Sequence, residues 1–140
     1  MLYFDLSMNV IERTIQEINE AEKFIRIAIF QLHNRHVFNV LNQKLKSGVT
    51  VEIFTLPFDS INEDVKERVI NQFESLRKSG AIMHFCKWNI GDPERTSTAV
   101  GRWYSFHGKF IVTDKSAISL SANFTDLNEL DAVLIYKNDP

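Results

Sequence analysis

One short segment of the chain groups the residue types that act on phosphate esters. His107 and Lys109 flank Gly108, Asp114 follows after four intervening residues, and Asn123 comes after a Ser-Ala pair. Residues i and i+2 of a β-strand point to the same face, so His107 and Lys109 are expected to enter one site together. A neutral imidazole can attack phosphorus, and an ammonium and an amide donor can stabilise the charge of the transition state. The spacing supports nucleophilic attack by His107 on an anionic ester, with Lys109 and Asn123 as the groups that bind the anion.

The first part of the chain, which must position this segment, alternates strand and helix patterns. Short apolar runs at 24–30, 49–55 and 81–86 are typical of strands inside a sheet. Segments with helical spacing of apolar residues lie between them, and Ser60 with Glu63 forms a capping box at the expected start of the longest one. Such units predict an α/β fold, with a mixed, mainly parallel β-sheet and helices on both faces.

The pattern changes in the second part of the chain. Residues 88–104 are polar and rich in turn formers, as expected of a functional or mobile loop. Two short apolar runs on either side of Asp114 predict a β-hairpin, and residues 131–136 predict a last strand. Because Asp114 opens the hairpin turn, we assign it a turn-fixing or charge-balancing role and no direct part in the chemistry.

The spacing H-x-K-x4-D, followed by a small-residue turn and Asn, resembles the motif of the phospholipase D (HKD) superfamily. The resemblance covers most of the chain, because the motif lies on a strand-turn-strand unit after β-α-β units, where that family places it. It implies a phospholipase D-like fold in one domain, residues 1–140. Ser121 stands where the family pattern usually has glycine, and it is a candidate substrate contact beside Asn123. Family members usually continue into a helix after the last strand, whereas this chain stops at Pro140; a complete protein and an excised domain both remain open.

The resemblance also implies a mechanism. Enzymes of this superfamily use two copies of the motif, one histidine attacking phosphorus and the other protonating the leaving oxygen. This chain carries one copy, so a homodimer with a shared site is expected, with a phosphohistidine intermediate on His107 and with neither metal nor other cofactor. In the family, an acid just before the last strand orients the nucleophile. Glu129 and Asp131 are both candidates for that role here.

The substrate class follows from the same resemblance. Single-motif chains are similar to the bacterial nucleases and the zucchini-type endoribonucleases of the superfamily, which favours nucleic-acid phosphodiesters, DNA or RNA. The first alternative is a lipid phosphodiesterase or phosphatidyl transferase, although no basic amphipathic membrane helix is evident. The second alternative is an inactive nucleic-acid-binding or dimerisation module of a helicase or restriction enzyme.

Composition sets outer limits on these hypotheses. The net charge of −2 argues mildly against non-specific coating of DNA, and it does not exclude a nuclease with a locally basic cleft. No apolar run approaches the roughly 20 residues that span a bilayer, and the N-terminus lacks the features of a signal peptide. The single cysteine, Cys86, fits a reducing compartment, so a cytoplasmic location is expected.

The remaining histidines suggest no second site. His33 and His36 are three residues apart at a helix start, but no cysteine or close carboxylate completes a metal site, so a solvated helix end is expected. His84 is expected to be a satisfied core or edge residue.

Overall fold

The computed structural model describes residues 1–7, 10–86, 108–121 and 131–137. The strands are β1 (Leu2–Ser7), β2 (Phe24–Ile29), β3 (Thr50–Thr55), β4 (Ile82–Phe85), β5 (Lys109–Thr113), β6 (Ser116–Leu120) and β7 (Asp131–Lys137). The helices are α1 (Val10–Glu20), α2 (Arg35–Lys46) and α3 (Lys66–Lys78), with a 3-10 turn at Phe58–Ser60. None of the helices in these ranges is long and apolar enough to cross a bilayer.

Local hydrogen bonds and backbone angles set the limits of α2 and α3. Asn34 Oδ1 accepts the backbone N–H groups of His36 and Val37 at 2.9 and 3.2 Å, which caps the first turn of α2. Gly48 (φ 89°) and Gly80 (φ 105°) follow the last turns of α2 and α3. Left-handed backbone at these positions strains other residues, so glycine ends both helices.

The third helix starts later than the capping box predicted. Ser60 lies in the 3-10 turn, and the N–H groups of Val65 and Lys66 donate to the carbonyls of Asn62 and Glu63, three residues back. This is turn geometry and not α-helix. The Glu63 carboxylate pairs with Lys66 Nζ at 3.0 Å, and α3 begins at Lys66, six residues after Ser60.

The strands form one mixed sheet in the order β1-β7-β6-β5-β2-β3-β4. Strand β3 runs parallel to both β2 and β4, and the other four neighbouring pairs in the described sheet are antiparallel. The α/β class is confirmed, but the expectation of a mainly parallel sheet is wrong. Crossovers through α2 and α3 produce the parallel pairs, whereas the β5–β6 hairpin, β7 and β1 extend the sheet antiparallel on the other side of β2.

The two faces of the sheet have different surroundings. Ile27, Ile53 and Ile111 lie on one face and are fully buried in the core that the helices share. Contacts of α1 with α2 and of α2 with α3 place these three helices together on that face. On the opposite face, Phe110 is 49% and Tyr136 56% exposed. Within the described ranges helices cover one face, so the expected helix cover of the second face is not found among them.

An ion-pair network joins α1 to the end of β7. Glu17 of α1 is 1% exposed, and its Oε1 lies 3.1 Å from Lys137 Nζ. Lys137 Nζ also contacts Glu20 at 3.1 Å, and hydrogen bonds to Glu17 and then Glu20 raise the pKa of Lys137. A buried carboxylate is costly unless it is paired. Lys137 therefore makes the burial of Glu17 tolerable and fixes α1 against the sheet.

We expect Lys137→Met to lower the free energy of unfolding by about 2 kcal/mol, less than for a fully buried pair because Lys137 is partly exposed. The variant leaves the buried Glu17 carboxylate with one ion pair among the described residues, to the Arg13 guanidinium at 3.7 Å. Urea denaturation of both proteins measures the difference. Glu20→Gln is the matched control, since Glu20 is half-exposed and should cost under about 0.5 kcal/mol. Equal costs for the two variants would contradict this account.

Candidate active site

Strand β5 holds Lys109 at one edge of the sheet through its pairing with β2. Lys109 pairs with Ile29, the last residue of β2, and the Phe30 N–H donates to the Gly108 carbonyl at 2.9 Å. Lys109 therefore projects from the helix-covered face, on which Ile29 is fully buried. The side chain is half-buried, and this burial lowers the pKa of Lys109. Because burial removes part of the hydration of this ammonium, it interacts with an anion more strongly than a fully exposed lysine would.

The same edge collects the strand ends that flank the other candidate residues. Phe110 pairs with Ser119 and Leu120 with Val133, so β5 begins, β6 ends and β7 begins side by side. Ser121, directly after β6, is exposed at this edge. His107, Asn123 and Glu129 lie outside the described residues, and for Asp131 the structure describes the backbone at the start of β7 but not the side chain. Of the candidate site residues, the structure thus places Lys109 and Ser121 at one edge.

Asp114 lies at the opposite edge, in the turn between β5 and β6. Its Oδ1 accepts the backbone N–H groups of Glu22, Lys23 and Phe24 at 3.0, 3.1 and 3.4 Å. Burial by itself raises the pKa of this carboxyl, but the donated hydrogen bonds from Lys23, Glu22 and Phe24 outweigh it, and the pKa is lowered. Five residues of extended strand separate Asp114 from Lys109, roughly 15 Å. The structure therefore does not bring Asp114 to the edge that carries Lys109.

Phe30 is a residue of this edge that sequence reasoning did not single out. Its ring centroid lies 6.0 Å from Lys109 Nζ, and its N–H makes the bond to Gly108 described above. In the sequence Phe30 is the last letter of an apolar run, and that run predicts only a buried strand. The signal that could have found it is positional, because the residue after a strand can face the site at the strand's carboxyl end.

The histidines outside the motif have other surroundings. His33, expected at a solvated helix end, is buried, because the segment between β2 and α2 packs against Arg68, whose Nη1 donates to the His33 carbonyl at 2.9 Å. His36 is exposed, as expected. His84 Nε2 lies 2.7 Å from Glu52 Oε1, which confirms a satisfied position on the edge strand β4. In the parts of the chain that the structure describes, no three His, Cys, Asp or Glu side chains group as a metal site.

Sequence comparison relates the chain to one family. The family model described as "Cardiolipin synthase, PLD-like domain" matches residues 14–138. A cardiolipin synthase from Clostridium perfringens is 30% identical over 93 residues, which are 62% of this chain and 19% of that relative. The match therefore spans about a fifth of the curated relative's length.

Solved structures share the fold over nearly the whole chain. Nuc from Salmonella typhimurium, a phospholipase D family member, has a TM-score of 0.72 at 18% identity and covers 98% of this chain and 82% of its own. NucT from Helicobacter pylori has a TM-score of 0.65 at 15% identity, with coverages of 96% and 85%. At such identities the likeness establishes the fold alone.

We expect Asp114→Asn to lower the free energy of unfolding by about 1 kcal/mol at neutral pH, because three backbone donors lose a charged acceptor and keep a neutral one. The folded pKa lies below the ordinary 3.8, so the carboxylate's contribution is present above that value and is lost as the pH falls through the folded pKa. The difference between the two proteins should therefore shrink below about pH 4 in urea titrations. A difference that is constant from pH 7 to pH 2 would contradict the role of the charge. Asp59→Asn, on the 3-10 turn, is the control.

Proposed function

Because this chain belongs to the phospholipase D-like family, we propose that it hydrolyses nucleic-acid phosphodiesters through a phosphohistidine on His107, in a site that two protomers share. The observation that carries this proposal is the half-buried Lys109 ammonium at the sheet edge where the strand ends of the motif meet. A cation held there meets the charge requirement of a phosphate site. Neither a metal nor another cofactor takes part in the proposed reaction.

The proposed chemistry is a double displacement. A nitrogen of one neutral His107 forms a bond to phosphorus, the bond from phosphorus to the leaving oxygen breaks, and that oxygen takes a proton from His107 of the other protomer. Water then attacks phosphorus, gives its proton to that second imidazole, and displaces the first. Lys109 and the Asn123 amide stabilise the non-bridging oxygens in both steps.

Two further roles belong to the same proposal. Glu129 or Asp131 accepts a hydrogen bond from the second ring nitrogen of His107 and so fixes the tautomer that can attack. Asp131 starts β7, whose first residues pair with the end of β1, and Glu129 stands two positions earlier. Ser121, at the end of β6, is positioned beside the substrate phosphate.

The nucleic-acid substrate is favoured by the resemblance of single-motif chains to the bacterial nucleases of the superfamily, and the coverages of the structural relatives agree with it. Nuc and NucT match this chain over 82% and 85% of their own length, whereas the cardiolipin synthase match spans 19% of that relative. A chain segment with one copy of the motif fits a site completed by a second copy. The family model and the 30% identical relative favour a second candidate, a lipid phosphodiesterase or phosphatidyl transferase.

We expect the purified protein to cleave single-stranded DNA, double-stranded DNA or RNA in excess EDTA, and to leave phosphatidylglycerol vesicles intact when all four are assayed in parallel. His107→Ala should lower the rate by several orders of magnitude, because a positioned nucleophile is lost. His36→Ala is the matched control, since His36 is exposed on α2. Turnover of the lipid alone would establish the second candidate. Loss of all activity in EDTA that a divalent ion restores would contradict the mechanism.

We expect an experiment that mixes wild-type and variant subunits to show that two protomers share one active site. Wild type re-equilibrated with excess His107→Ala should lose activity more steeply than dilution predicts, because a heterodimer has one nucleophile and no partner histidine. Sedimentation of the same mixtures measures the dimer fraction. Unchanged specific activity of a monomer at low nanomolar concentration would show that a single chain is sufficient.

A further inference from the structure

Two contacts connect Phe30 with the start of β5. The backbone N–H of Phe30 donates to the Gly108 carbonyl at 2.9 Å, directly before Lys109. The Phe30 ring centroid lies 6.0 Å from Lys109 Nζ. One residue thus fixes the backbone from which Lys109 leaves the sheet and also faces the charged end of its side chain.

The face of an aromatic ring carries negative electrostatic potential, which attracts an ammonium within about 6 Å of the centroid. Lys109 Nζ lies at the outer limit of that range. We therefore expect a cation–π interaction energy of the smaller size that is measured at exposed sites. Burial takes water from the Lys109 ammonium and lowers its pKa. A ring face replaces part of the lost hydration without adding a carboxylate, which would compete with a phosphate for the same cation.

We propose that Phe30 is a positioning residue, whose ring holds the Lys109 ammonium at the sheet edge by a cation–π contact. The contact itself does not depend on what the protein cleaves. Its consequence for catalysis rests on the proposed function, because there Lys109 binds the substrate phosphate. The inference gives Phe30 a role beyond filling the end of β2.

The chain contains a matched control at the other end of the same strand. Phe24 begins β2, and its ring centroid lies 5.0 Å from the guanidinium carbon of Arg26. Both phenylalanines are half-buried and each faces a cation. Phe24 stands next to the Asp114 turn and away from Lys109. The same substitution at the two positions therefore separates the loss of a ring in β2 from the loss of the ring that faces Lys109.

The test compares Phe30→Leu, Phe30→Tyr and Phe24→Leu with wild type, in full-length protein without substrate. Lysine labelled with ¹³C at Cε reports the pKa of Lys109 by NMR, with Lys109→Arg assigning the signal. Because the ring face stabilises the charged form, we expect the pKa of Lys109 to fall in Phe30→Leu and to stay at the wild-type value in Phe30→Tyr and Phe24→Leu. A trifluorinated phenylalanine at position 30 keeps the shape of the ring and removes its negative face. We expect it to lower the pKa of Lys109 as Phe30→Leu does, and it tests the contact even if Phe30→Leu disturbs folding.

Turnover gives the second readout. On whichever phosphodiester the wild type cleaves, kcat/KM should fall about 2- to 5-fold in Phe30→Leu and in the fluorinated variant, and Phe30→Tyr should retain it. An unchanged Lys109 pKa in both the leucine and the fluorinated variants would overturn the inference. A lowered pKa in a protein that cleaves none of the substrates would uphold the contact and reject the proposed function.

Discussion

The antiparallel pairing of β2 with β5 is the constraint on which the rest of the structure depends. It runs from Ile25 opposite Thr113 to Ile29 opposite Lys109, and β2 also pairs in parallel with β3. Strand β2 is thus the strand that joins the β-α-β part to the hairpin that carries the motif. A slip of one residue would turn Lys109 to the opposite face of the sheet, since side chains alternate along a strand.

Both ends of this pairing are fixed by hydrogen bonds outside the ladder. At one end Asp114 accepts three backbone N–H groups from the start of β2, and at the other the Phe30 N–H donates to Gly108. The Asp114 carboxylate is thereby hydrogen-bonded to backbone donors, at a distance of about one strand length from Lys109. That separation exceeds a Debye length of about 8 Å at physiological ionic strength, so Asp114 does little to neutralise the Lys109 ammonium.

The sheet also shows how one apolar run can serve two different faces. In β5 the fully buried Ile111 points into the helix-covered core, whereas its neighbours Phe110 and Val112 are 49% and 37% exposed on the other face. A run that is apolar at every position is typical of a strand covered on both sides. The described helices cover one face of this strand. The side chains on its other face are apolar although they are exposed.

The sequence by itself determined the local elements and the motif. Apolar runs located β2, β3, β4 and the hairpin strands, because burial in a sheet requires them, and the spacing of His107, Lys109 and Asn123 identified the family that the comparisons then established. It also marked Asp114 as the residue that opens the turn. The sequence did not indicate β1. This strand is defined by its pairing with β7, in which Ser7 lies opposite Asp131, 124 positions further along the chain.

Only the tertiary structure decided how these elements pair and what surrounds each charge. The mainly antiparallel sheet follows from where the hairpin and β7 dock, and pairing partners far apart in sequence leave no local periodicity to read. The burial of His33 and the Phe30 ring beside Lys109 likewise depend on neighbours brought by folding. A sequence pattern reports which side chains prefer burial, whereas the distance between two of them is set by the packing of the whole chain.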